Sequence, residues 1–64
     1  MYTFDSKILD DSFTFSSAIE AANFFILKEW NMIHFLIYKN EQEVGLNEFN
    51  YSLYLELVKM NELV

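Results

Sequence analysis

The sequence has no cysteine, no proline and no arginine, and it holds one glycine and one histidine among 64 residues. Without cysteine there can be no disulfide and no thiolate metal ligand. His34 is the only imidazole, so one chain cannot assemble a multi-histidine metal site. A lone Gly45 leaves no glycine-rich phosphate loop, and the Asp-rich spacing of a calcium loop is absent. No metal or other cofactor is therefore expected.

The missing arginine carries the most functional weight. Four lysines stand among ten carboxylates, for a formal charge of −6. Nucleic-acid binding draws its affinity from Lys and Arg on phosphates, and base readout and stacking rely heavily on Arg. Four dispersed lysines make no basic footprint, so no direct nucleic-acid partner is expected. An anionic membrane surface is disfavoured for the same reason. The most apolar stretch, Phe24 to Tyr38, is too short to span a bilayer and is interrupted by Lys28, Glu29, Asn31 and His34. The opening residues Met1-Tyr2-Thr3-Phe4-Asp5 show no basic region followed by an apolar one, so no secretory signal is expected. The expected location is the cytoplasm, that of the host cell if a phage encodes the chain.

Residues 1–64 form one expected domain, near the lower size limit for independent folding. Such a chain buries only about 60% of its unfolded surface. Yet 53% of its residues are apolar and 19% are aromatic, with seven Phe, four Tyr and one Trp. Either the aromatics form a dense core or some stay outside as an interface patch. With no disulfide or metal available, self-association or partner binding is the remaining way to gain stability.

The expected fold class is α+β: an N-terminal β-hairpin, a capped helix, a central strand and a C-terminal helix. Tyr2, Phe4 and Ile8 oppose Thr3 and Asp5, while Phe13 and Phe15 flank Thr14. Between them Leu9-Asp10-Asp11-Ser12 reads as a turn, giving a hairpin. Ser17-Ala18-Ile19-Glu20 is a capping box at the start of a helix. Ile19, Ala22, Ile26 and Trp30 fall on one stripe of that helix, and Asn31 is expected to end it in the left-handed conformation. Residues 32–38 are β-prone and apolar on both faces, which points to a buried central strand; continuation of the helix is the rival. Asn40 to Glu43 reads as a polar loop. Asn47 is expected to cap the last helix, with Leu46 stapled to Tyr51 and a stripe of Leu53, Leu57, Met60 and Val64. Alternation of Tyr51, Leu53, Leu55 and Leu57 also permits a strand, but the helix formers tip the balance.

No catalytic residue is expected. None of the serines at positions 6, 12, 16, 17 and 52 lies in Gly-x-Ser-x-Gly. The acid pairs Asp10/Asp11 and Glu41/Glu43 could do acid–base work but read as solvated turn acids. His34 reads as a core or half-buried histidine, against a pH switch or catalytic base. Trp30 reads as core, although tryptophan also ranks among interface hot spots.

These exclusions leave a protein-binding protein, expected to be an inhibitor or adaptor that blocks a basic, nucleic-acid-binding surface of a target. In size, charge and composition it is of the kind encoded by phages and mobile elements, of anti-CRISPR or anti-restriction type. The absence of Arg and Pro and the many Asn, Ile, Phe, Lys and Glu also fit an AT-rich coding sequence. The residues expected to meet the partner are Asp10, Asp11, Glu41, Glu43 and Glu48, with Tyr51 and Tyr54 as aromatic anchors. The alternative is a small structural or regulatory homo-oligomer, a homodimer burying part of Tyr51, Tyr54 and the Leu53/Leu57 stripe.

Overall fold

A computed structural model describes residues 1–62. Four strands and two helices follow one another in the order β1 (Tyr2–Ser6), β2 (Ser12–Phe15), α1 (Ala18–Lys28), β3 (Phe35–Lys39), β4 (Gln42–Val44) and α2 (Leu46–Glu62). A 3-10 turn, Met32–His34, leads into β3. The strands form one antiparallel sheet in the order β2-β1-β3-β4. The fold is thus α+β, with both helices on one face of the sheet.

Alternation decides which face is covered. Tyr2 and Phe4 of β1, Phe15 of β2, and Phe35 and Ile37 of β3 are buried against Ala18, Ala21 and Phe25 of α1 and Phe49 of α2. Phe4 is the hub, with ring centroids 4.9 Å from Phe25, 5.3 Å from Phe49 and 5.8 Å from Phe15. Edge-on and tilted rings of this kind add stabilisation beyond the area they bury. On the other face the register lines up Thr14, Thr3, Tyr38 and Glu43 in one row and Ser12, Asp5 and Leu36 in the next. That face stays open. The central strand β3 is consequently buried on one side only, because its outward residues Leu36 and Tyr38 meet no second layer.

The N-terminus of α1 is capped by Ser17, whose Oγ accepts the Glu20 N–H at 3.1 Å. The reciprocal arm of the capping box is not made: the Glu20 carboxylate accepts from Ser16 Oγ instead. Glu56, far along the chain on α2, takes over by accepting the Ala18 and Ile19 N–H groups at 2.8 and 3.0 Å. The helix packs through Ala18, Ala21 and Phe25, one step round from the expected stripe, which leaves Ile26 74% exposed. Ala18 and Ala21 are fully buried, and Phe25 reaches into the phenylalanine cluster. Glu29, not Asn31, takes the left-handed conformation, at φ 58°. The Glu29 N–H donates to Ile26 O and the Trp30 N–H to Phe25 O, a Schellman ending closed by the Trp30–Phe25 contact. Asn31 has a different task. Its side chain accepts the Ile33 N–H and starts the 3-10 turn, which keeps His34 out of the strand and exposed.

The expected loop, Asn40 to Glu43, instead turns at Asn40-Glu41 and enters the edge strand β4 at Gln42. Asn40 and Glu41 both have positive φ, 50° and 71°, the pattern of a two-residue type I′ hairpin turn. Beyond it α2 begins at Leu46, two residues before an Asn47 cap would allow, with Phe49 N–H bonded to Gly45 O. Leu46 packs on the core and Tyr51 points away, so the expected staple does not form. Of the expected stripe only Leu53 packs on the core; Leu57 and Met60 are exposed, and Val64 lies outside the described residues.

Candidate functional site

The two ends of the sheet are finished differently. At the end where Tyr2, Phe15 and Lys39 align, polar groups tie the elements together. The Met1 ammonium donates to Asn40 Oδ1 and Asn40 N–H to Met1 O, both at 3.0 Å. Lys39 Nζ donates to Ser52 Oγ on α2 at 3.4 Å and lies over the Tyr2 ring. The Glu56 cap on α1 completes this end.

At the other end, where Ser6 pairs with Phe35, the β1–β2 loop of residues 7–11 stands beside the turn that follows α1. The Ser6 hydroxyl stops the strand by accepting the Ile8 and Leu9 N–H groups at 3.2 and 2.8 Å. This local turn projects both apolar side chains outward, Ile8 74% and Leu9 55% exposed. The Ser6 N–H donates to Asp11 O, the Ser12 N–H to Asp11 Oδ1, and the Lys7 N–H to His34 O. These bonds hold the loop against the 3-10 turn. Between them lies a groove of about 410 Å³ whose apolar lining is Ile8, Leu9, Trp30 and Phe35, with Glu29 and His34 at its edge. Its floor is firm, since the Trp30 ring stacks on Phe35 at 5.9 Å. Ser6 is shared with an adjoining polar hollow bounded by Asp5, Asp10, Asp11 and Ser12. The groove is thus an apolar hollow with one carboxylate, Glu29, in its lining, next to a polar hollow that holds Asp5, Asp10 and Asp11.

The residues expected to meet a partner do not form one patch. Asp10 and Asp11 belong to the groove end. Glu41 occupies the β3–β4 turn at the opposite end, and Glu43 faces outward on the edge strand beside Tyr38. Glu48, Tyr51 and Tyr54 are on α2, with the tyrosine side chains 62% and 60% exposed on its outer side. Asp5, Glu29, Ile8, Leu9 and Trp30 were not among the expected contacts and are those the fold adds to Asp10 and Asp11. For Leu9 alone there is a sequence signal: it is apolar inside a turn-like segment, where solvated residues are the norm.

Among the described residues no three His, Asp or Glu side chains gather as metal ligands, and no helix is long and apolar enough to cross a membrane. No family model, no curated protein and no solved structure matches the chain.

Proposed function

We propose that this is a protein-binding protein whose groove end docks on a basic surface of a target protein and so blocks it. The observation that carries the reading is the exposed Ile8-Leu9 pair beside Trp30, flanked by Asp10, Asp11, Asp5 and Glu29. Specific interfaces pair a desolvated apolar or aromatic centre with a polar rim. A carboxylate rim steers encounter with a positive surface and rejects acidic partners. Nucleic-acid-binding proteins present such surfaces, because phosphate contacts require Lys and Arg. Occlusion of a nuclease, restriction enzyme or CRISPR effector by a phage-type protein fits this chemistry, and it requires neither a catalytic group nor a cofactor.

Capture from cell extract on the immobilised chain tests the reading when loop variants run beside the wild type. The expected result is a basic protein that the wild type retains and that raised salt releases. Asp10→Lys with Asp11→Lys, and separately Ile8→Glu, lose it, whereas Glu41→Lys with Glu43→Lys keeps it. Equal retention by all variants would remove the groove from the interface.

A further inference from the structure

Among the described residues none packs on the outer face of α2, and its pattern is self-complementary. The core side of the helix is defined by Phe49, with Leu53 packed beside it. On the opposite side Tyr51, Tyr54, Leu55 and Val58 follow i, i+3, i+4, i+7 spacing, a second apolar stripe on one helix. Tyr51, Tyr54 and Leu55 are exposed and Val58 is half-buried. We infer that two copies of this chain pair through this face, with their α2 helices antiparallel about a two-fold axis between Tyr54 and Leu55.

Three features choose a second copy over another occupant. The first is the symmetry of the stripe. In a two-fold pair each contact occurs twice, so a residue before the centre must match one equally far behind it. The spacing sets Tyr51 against Val58 of the partner and Tyr54 against Leu55 of the partner. The second is the flanks. An antiparallel two-fold pair brings like flanks together, and Glu48 and Lys59 share one flank, within about 20° on a helical projection. Each copy then places its acidic residue near the partner's lysine at both ends of the interface. Asn50 and Asn61 hold the other flank, where like residues meet without repulsion. The third is area. A helix of this length is about 25 Å long and about 10 Å across. Pairing along it stays at or below the roughly 1,000 Å² total of a small specific interface, the size of a weak, transient contact. A charge of −6 on each copy opposes association. The dimer is therefore weak, dissociating in the micromolar range or above. It leaves the groove end free, so each dimer carries two copies of the docking surface.

Sedimentation equilibrium of the full chain, from low micromolar to about millimolar concentration, tests this. The wild type is expected to pass from monomer to dimer across that range. Tyr54→Glu and Tyr51→Glu should each raise the dissociation constant about tenfold or more. Circular dichroism verifies that these variants stay folded. Glu48→Lys and Lys59→Glu should each weaken the dimer a few-fold. Glu48→Lys combined with Lys59→Glu should restore it, a result that neither misfolding nor general charge repulsion produces. A wild type that stays monomeric throughout would overturn the inference. So would a dimer that the tyrosine variants leave unchanged, or one that Ile8→Glu dissolves instead. Retention of the captured target by the loop variants, with the dimer intact, would count against the groove alone, so the two proposals fail separately.

Discussion

One end of the sheet is closed by hydrogen bonds and the other ends in exposed apolar side chains. At the closed end the Met1 ammonium, Lys39 and Glu56 bond parts of the chain that would otherwise separate, and Ser17 caps α1 locally. At the open end the hydrogen bonds within residues 6–12 are local, and one longer-range bond, from the Lys7 N–H to His34 O, sets the loop against the 3-10 turn; they position a loop rather than join layers. If the groove end docks on a target as proposed, stability and recognition fall at different ends. A small domain has little surplus stability, so separating the two tasks lets the binding end change without unfolding the rest.

Removing the tie between α2 and α1 should have the largest effect on stability. Glu56→Ala strips two charge-assisted bonds from the Ala18 and Ile19 N–H groups and should cost about 2 kcal/mol in urea melts. Ser17→Ala, at the same helix end, should cost about 1 kcal/mol. An unchanged midpoint for both would mean that α1 is held by its apolar face alone. Replacing strained residues should raise stability instead. Glu29 and Glu41 sit at φ 58° and 71°, where glycine has no steric penalty. Glu41→Gly, which creates the Asn-Gly pair favoured in this turn, and Glu29→Gly should each add roughly 0.5–1 kcal/mol, because relief of strain exceeds the extra freedom of the unfolded chain. Smallest of all, Ile8→Ser with Leu9→Ser should move the midpoint by no more than about 0.5 kcal/mol, as surface changes do. A larger loss would show that the groove also supports the fold.

Local signals made part of this legible in the sequence. Phe4 and Tyr2 alternate with Thr3 and Asp5, and Ser17 precedes Glu20 by three, so the hairpin and the start of α1 follow from neighbours alone. The edge strand β4 was hidden because its turn uses Asn40-Glu41, and glutamate gives no hint of positive φ. The packed face of α1 lies one step from the expected stripe because Ala18 and Ala21, weakly apolar as single residues, are fully buried beside Phe25. Glu56 could not be found locally at all, since its partner Ala18 is 38 residues away. The groove has the same origin. Ile8 continues the alternation of β1 on paper, but the Ser6 hydroxyl turns the chain first, and Trp30 arrives from the far side of α1. The acids expected to meet a partner therefore divide by place: Asp10 and Asp11 line the hollow beside the groove, while Glu41 and Glu43 lie in the β3–β4 turn and on the edge strand.

That division is open to direct measurement by stopped-flow association with the captured target across a salt series. Reversing Asp10 and Asp11 to Lys should slow association about tenfold at low salt and flatten its salt dependence, because a carboxylate rim acts mainly on the encounter rate. Reversing Glu41 and Glu43 to Lys makes the same change in net charge at the closed end and on the edge strand, and should leave the rate close to wild type. Equal slowing by both pairs would mean that only total charge matters, and no slowing by the Asp10/Asp11 pair would contradict docking through the groove.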